Sequence, residues 1–142
     1  MPQEQQVEKL PCYAIRLRRA ATTVTEHYNR ALQPFGITIN QFSLLAGVAA
    51  MDGCSVNELA ARVGLDKSTL VRNLRPLFAQ GYIVDTAAPG RRNRQLALTP
   101  AGRVLLQQAR EVWHSTQKAL KARLGPLLEP LLLALDCLDD LV

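Results

Sequence analysis

Aromatic residues are scarce in this chain of 142 residues: they make up 5% of it, whereas hydrophobic residues as a whole make up 48%. The apolar content rests instead on leucine and alanine, and the segment from Leu127 to Val142 is dense in leucine. Such residues pack along helix faces. The sequence predicts an all-α or mainly-α fold, formed by one domain or by one domain that completes its core by pairing.

Long apolar runs are also missing. No stretch reaches the ~18 consecutive apolar residues of a membrane span, and the polar start MPQEQQVEK lacks the basic-then-apolar order of a signal peptide. The sequence predicts a cytoplasmic protein with no membrane partner.

Cysteine and histidine are few. Cys12, Cys54 and Cys137 form neither an even set nor a CxxC pair, and His27 and His114 stand alone. A disulfide scaffold and a zinc site of local spacing are therefore not indicated. No cofactor is expected, and a metal would need distant residues to converge.

Positive charge is abundant but unevenly placed. The net charge is +5, and nine Lys or Arg stand against three acids between Asn57 and Arg110. Leu124 to Val142, in contrast, holds four acids and no base. This segregation indicates a polyanion-binding part joined to a non-binding part, although a merely solvated basic face would give the same pattern.

Two helices are predicted before the basic block. An apolar stripe at helical spacing runs from Pro11 to about Leu32, where QPFG ends it. ITINQFSLLAGVAAMDG then predicts a second helix, capped by Asn40 and stopped near Gly53.

The stretch CSVNELAARVGLDKSTLVRNLRPLFAQGYI predicts a helix, a short glycine turn and another helix. Ser55 and Glu58 form a capping box for the first, and Asp66 caps the second. This is the layout of a helix-turn-helix, whose second helix enters the major groove of DNA. Away from its apolar face, the second helix carries side chains suited to base edges and phosphates: Ser68, Thr69, Arg72, Asn73 and Arg75.

YIVDTAAPGRRNRQLALT predicts a hairpin with strands from Tyr82 to Thr86 and from Gln95 to Leu98. Its tip holds Gly90 and is followed by three arginines: Arg91, Arg92 and Arg94. A hairpin tip beside a recognition helix can reach the DNA backbone or the neighbouring minor groove, where arginine is favoured.

Two helices complete the chain. Thr99 caps and Pro100 begins a long helix that runs to about Leu124, and GPLLEPLLLALDCLDDLV predicts a last, leucine-faced helix. One chain offers little to cover so much leucine. We therefore expect this end to pack on a partner chain and on the first helix.

On these segments the chain resembles MarR-family transcriptional regulators over most of its length. The resemblance is carried by ITINQFSLLAGVA, VNELAARVGLDKSTLVRNLRPLFAQGYI and RRNRQLALTPAGRVLL. It implies a mainly α winged helix-turn-helix with a two-stranded β-wing, and a two-fold dimer built by the first, fifth and sixth helices. Residues 1–38 and 100–142 would form the helical dimerisation region and residues 39–99 the DNA-binding region.

The resemblance also implies that operator DNA is bound by recognition-helix and wing residues, here Ser68, Thr69, Arg72, Asn73, Arg91, Arg92 and Arg94. The family's usual aspartate before the paired wing arginines is replaced by Gly90. The usual acidic brace of the wing is therefore expected to be missing.

Cys12 raises the question of redox sensing. It stands near the start of the first predicted helix with Arg16 one turn on, and both a helix N-terminus and a cation favour the thiolate. The chain is similar here to the family's organic-hydroperoxide sensors, in which tyrosines hold the reactive cysteine, a role for Tyr28. The alternative is a small packing residue, as is expected of Cys54 and Cys137. Trp113 is expected to anchor the core or the dimer interface.

The sequence thus predicts a homodimeric DNA-binding regulator, not an enzyme, that places two recognition helices in a pseudo-palindromic operator. A small-molecule effector or an oxidised Cys12 would shift the spacing of the two lobes and release a repressor. One alternative is a winged-helix protein-interaction module without a specific operator. Another is a thiol enzyme, for which the sequence offers no recognisable catalytic motif.

Overall fold

The computed structural model describes residues 12–90 and 93–142, and this part of the chain is mainly helical with one two-stranded antiparallel sheet. The predicted fold class is confirmed. In chain order the elements are α1 (Tyr13–Leu32), α2 (Ile39–Ala50), α3 (Val56–Val63), α4 (Lys67–Ala79), β1 (Ile83–Asp85), β2 (Leu96–Leu98), α5 (Pro100–Leu124) and α6 (Leu128–Asp136). Short 3-10 turns, Gln33–Phe35 and Gly125–Leu127, follow α1 and α5.

Side-chain caps begin most of the central helices, and one predicted cap is wrong. Thr38, not Asn40, caps α2: its hydroxyl accepts from the Gln41 amide at 3.2 Å, and the Gln41 side chain accepts from the Thr38 amide. The neighbouring Ile39 amide donates to the Asn29 side chain of α1 at 2.8 Å. The S/T-x-x-E/Q signature of a capping box was present in the sequence and marks the helix start two residues earlier.

The other predicted caps are confirmed. Ser55 and Glu58 form a capping box for α3, Asp66 caps α4, and the Thr99 hydroxyl accepts from the Gly102 amide at the start of α5. These interactions each satisfy backbone donors that a helix leaves free at its start.

One hydrophobic core joins the helix-turn-helix to the wing and to α5. Its fully buried leucines come from α1, α2, α3, α4 and β2: Leu32, Leu44, Leu45, Leu59, Leu70, Leu77 and Leu96. Burial of each contributes about 1.5–3 kcal/mol. Cys54 is also buried and forms a backbone bridge with Leu96, and Trp113 stacks on Phe42 with ring centroids 5.6 Å apart. Cys54 is thus a core residue, as predicted, and Trp113 is half-buried and packs against the core.

The base of the wing is fixed to this core. Ile83 pairs with Leu98, and both side chains are buried. Each strand is shorter than the sequence predicts: β1 begins at Ile83 and ends at Asp85, and β2 begins at Leu96. Gly102 allows α5 to begin against the strand, since a Cβ there would lie 2.0 Å from the Tyr82 carbonyl oxygen.

The two ends of the described chain expose apolar surface. Tyr13 and Ile15 of α1 are 75% and 54% exposed, and no residue of α6 is buried. The exposed leucines at this end are Leu127, Leu131, Leu132, Leu133, Leu135, Leu138 and Leu141. The sequence predicts Cys137 in the core or in an interface; it is exposed among these leucines, so the core alternative is wrong within a single chain. No helix in the described ranges has the length and apolarity to cross a membrane.

Candidate nucleic-acid interface

The predicted recognition helix, α4, has one face fixed in the core and the other accessible. Leu70, Leu74 and Leu77 are buried. The five predicted polar residues lie on the remaining surface: Ser68, Arg72 and Arg75 are exposed, and Thr69 and Asn73 are half-buried. The structure therefore brings these residues together on one helix, although Pro76 interrupts its interior.

A hydrogen-bonded cluster begins this helix. The Asp66 carboxylate accepts from the Ser68 hydroxyl at 2.7 Å through Oδ1 and from the Thr69 hydroxyl at 2.7 Å through Oδ2. Oδ1 also accepts from the Thr69 amide at 2.9 Å. These bonds, led by that from Ser68, hold the pKa of Asp66 well below its ordinary value, so the carboxylate is charged at neutral pH.

Asn73 is held one turn further along α4. Its Nδ2 donates to the Thr69 carbonyl at 2.8 Å. A carbonyl only accepts, so this bond settles which end of the amide is nitrogen. The side chain retains Oδ1 and a second N–H hydrogen, the pair of groups that recognises adenine in the major groove.

The wing approaches α4 through Arg94. The Arg94 guanidinium carbon lies 5.2 Å from the centroid of the Phe78 ring. Between α3, α4 and the wing lies a cleft of about 330 Å³ whose lining includes Lys67, Arg75 and Arg94. These three cations make the groove between helix and wing attractive to a phosphate backbone. Arg91 and Arg92 lie outside the described residues.

The hairpin has an acidic brace at Asp85, which the sequence analysis did not identify. Asp85 Oδ1 accepts from the amides of Ala87 at 2.9 Å and Gln95 at 3.0 Å, and so ties the two sides of the wing together. These bonds, with the charge of nearby Arg94, lower the pKa of Asp85. The usual aspartate before the paired arginines is replaced by Gly90, as the sequence shows, and Asp85 supplies an acidic brace elsewhere in the hairpin. The sequence signal for this brace is an aspartate at a strand end, where its side chain often accepts a hydrogen bond from a backbone amide of the following turn.

Two further clefts lie beside α5 and share Arg110. One, of about 600 Å³ against α2, is lined by Asp52, Arg103 and Arg110 among others. The other, of about 430 Å³, lies between α2, α3 and α5 and is lined in part by Arg62, Arg110 and Trp113. Concave sites with an aromatic wall and a few cations suit small anionic ligands.

Cys12 is the N-cap residue of α1 and is exposed. Tyr28 is buried, and its hydroxyl donates to the Gln117 side chain of α5. Sixteen residues of helix separate Tyr28 from Cys12, about 24 Å at a rise of ~1.5 Å per residue. The expectation that Tyr28 holds Cys12 is therefore wrong within one chain.

Comparison with known proteins agrees with this architecture. Residues 35–92 match the MarR family. The HTH-type transcriptional regulator SarZ of Staphylococcus saprophyticus is 31% identical over 81 residues, which is 56% of this chain and 56% of that protein. The match thus spans about half the length of that curated relative.

Solved structures match over nearly the whole chain. The transcriptional regulator MosR of M. tuberculosis in complex with DNA is 35% identical, with a TM-score of 0.75 over 88% of this chain and 93% of that one. The transcriptional repressor CouR is 29% identical when bound to a 23-mer DNA duplex, with a TM-score of 0.76 over 94% and 93%. Bound to p-coumaroyl-CoA it is 27% identical, with a TM-score of 0.77 over 89% and 90%.

The exposed polar face of α4, the braced wing and the similarity to these relatives all indicate a DNA-binding regulator and not an enzyme. The chain belongs to the MarR family of DNA-binding transcriptional regulators.

Proposed function

We propose that the chain is a homodimeric repressor that binds a pseudo-palindromic operator in double-stranded DNA through α4 and the wing. The observation that carries this proposal is the accessible face of α4, where Ser68, Arg72 and Arg75 are exposed on a helix whose opposite face is buried. The relatives MosR and CouR were both solved with DNA, and CouR is a repressor.

The proposed division of labour follows from position. The N-terminal half of α4 contacts bases through Ser68, Thr69, Arg72 and Asn73, and Arg75 borders the cleft toward the wing. In the wing, Arg91, Arg92 and Arg94 contact phosphates or the minor groove. Base contacts supply specificity, whereas phosphate contacts supply affinity that salt weakens.

The proposed dimer is formed by residues 1–38 and 100–142, with residues 39–99 as the DNA-binding region. Its support is the apolar surface of α1 and α6, which the described residues of one chain leave exposed. Exposed apolar patches of this kind mark interaction surfaces. A two-fold dimer presents two copies of α4 and thereby explains a pseudo-palindromic site.

Release from DNA is proposed to follow binding of a small anionic molecule beside Arg110, as CouR also binds p-coumaroyl-CoA. A ligand bound between α2, α3 and α5 would favour a different spacing of the two DNA-binding regions of the dimer. Oxidation of exposed Cys12 is the alternative signal. Because the target is DNA, the proposed location is the cytoplasm.

The test is selection of genomic DNA fragments by the purified protein, with and without an organic hydroperoxide. An enriched inverted repeat is expected. Its loss on oxidation, but not in Cys12→Ser, identifies the oxidant as the signal, whereas indifference to oxidant directs the search to a small molecule. Salt-sensitive binding without sequence preference contradicts the proposal and favours a protein-interaction module.

A further inference from the structure

The hydrogen-bonded cluster of Asp66, Ser68 and Thr69 at the start of α4 caps the helix and also orients two hydroxyl groups. Asp66 is ionised, and a carboxylate accepts hydrogen bonds but donates none. The Ser68 and Thr69 hydroxyls lie 2.7 Å from its two oxygens, so both must be the donors in these contacts. The direction of each bond is thus set by chemistry.

A hydroxyl carries one proton and two lone pairs. Since each hydroxyl already donates its proton in a hydrogen bond to Asp66, both side chains can only accept a hydrogen bond from a third group. Phosphate oxygens, guanine O6 and N7, and thymine O4 are themselves acceptors. In the major groove the groups left for these hydroxyls are exocyclic amines: N6 of adenine and N4 of cytosine.

We propose that Asp66 is a specificity-determining positioning residue, which commits the Ser68 and Thr69 hydroxyl protons so that these side chains select bases bearing an exocyclic amine. This inference rests on the proposed binding of operator DNA by α4. It assigns to Asp66 a role beyond its helix cap.

The charge of Asp66 acts in the same direction. An exposed carboxylate at the end of α4 repels phosphates, while the cations Lys67, Arg72 and Arg75 on the same helix attract them. The DNA backbone is therefore drawn to the arginines and kept from the two hydroxyls. Affinity is reduced, but a wrong base is rejected more strongly, because an acceptor facing these hydroxyls stays unpaired.

The test uses the operator selected by the full-length protein. Each adenine of a half-site is replaced in turn by purine, which lacks N6, and each cytosine by 2-pyrimidinone, which lacks N4. For the unmodified protein, removal of the amine is expected to weaken binding roughly three- to tenfold at one or more positions. Ser68→Ala or Thr69→Val should reduce that penalty to less than about twofold, and Thr69→Ser should retain it.

Asp66→Asn is the decisive variant. The remaining oxygen keeps the cap to the Thr69 amide, and the new NH₂ replaces Oδ2 and donates to the Thr69 hydroxyl. The Thr69 proton is then free, so the amine preference at its base is lost and guanine or thymine becomes acceptable there. Thermal unfolding and circular dichroism check that α4 is retained, because a merely structural role would lower stability without changing base preference.

Two results overturn the inference. One is an Asp66→Asn protein that rejects guanine and thymine as strongly as the wild type at the base whose amine penalty depends on Thr69. The other is an operator in which no amine penalty depends on Ser68 or Thr69. If the wild-type protein enriches no DNA sequence, the proposed operator binding itself is wrong. That result differs from both of these, which require a selected operator.

Discussion

The Arg94 guanidinium lies over the Phe78 ring, 5.2 Å from its centroid, and so connects the wing to the side of α4. A cation–π contact at an accessible site contributes about 0.5–1 kcal/mol. The wing is therefore held in place by a residue that the sequence suggested only as a DNA contact.

Phe78→Leu should separate these two roles of Arg94. The ring is lost and the charge remains, so DNA affinity should fall about two- to fivefold while the dependence on salt is unchanged. Arg94→Ala should also flatten the salt dependence, because it removes a cation. Fluorescence anisotropy over a salt series measures both, with Phe78→Tyr as the control that keeps the ring. Wild-type affinity in Phe78→Leu would contradict the proposed contact.

Substitution of Arg72 should reduce sequence discrimination, whereas substitution of the wing arginines should reduce affinity for all DNA. Arg72→Ala is expected to reduce discrimination between operator and mutated operator by about 1–3 kcal/mol, if it pairs with guanine. Arg91→Ala and Arg92→Ala should weaken binding to all sequences alike and lower the salt slope by roughly one each. Competition binding with operator and random duplexes checks the difference. An unaltered salt slope would place the wing tip off the DNA.

The Asp85 brace should make part of the wing's stability depend on pH. Backbone hydrogen bonds, first that from Ala87, lower the pKa of Asp85 below its value in the unfolded chain, about 3.9. A carboxylate whose pKa is lower in the folded than in the unfolded chain stabilises the fold. This stabilisation is fully present above the unfolded pKa and is lost as the pH falls through the folded pKa. The Tm difference between wild type and Asp85→Asn should thus be constant from pH 7 to 5 and disappear in stronger acid. A difference that grows with acidity would contradict the brace.

Gly102→Ala tests the close approach of α5 to the wing. In most helix interiors this substitution stabilises by about 0.5–1 kcal/mol. Here the new Cβ would lie 2.0 Å from the Tyr82 carbonyl oxygen, so we expect destabilisation of about 1–3 kcal/mol instead. Chemical denaturation measures it, and Gln108→Ala, at an exposed position of α5, is the control. A stabilised Gly102→Ala protein would show that the approach is looser.

Leu135→Lys tests the proposed dimer surface. Leu135 is 42% exposed on α6, and a buried ammonium there would oppose association. The protein should become monomeric and lose operator affinity, since one lobe cannot span two half-sites. Light scattering and operator binding measure these effects. Glu129→Gln, at an exposed position of α6, raises the net charge by the same one unit as Leu135→Lys and should leave the dimer intact.

Much of the fold follows from short stretches of sequence. The caps at Ser55, Asp66 and Thr99 and the apolar spacing of α4 involve residues three or four positions apart. Their geometry depends on local backbone structure, so the pattern identifies the helices and the polar face of α4. The capping box formed by Thr38 and Gln41 is equally local.

The sequence by itself determined the helix-turn-helix, the wing and the basic character of the surface between them, because each depends on residue spacing or composition. Only the tertiary structure decided that Asp85 braces the wing, that Arg94 rests on Phe78, and that Tyr28 bonds Gln117 far from Cys12. These partners lie 10, 16 and 89 positions apart. Contacts between separate elements depend on how the elements pack, and no local pattern records which side chains that packing brings together.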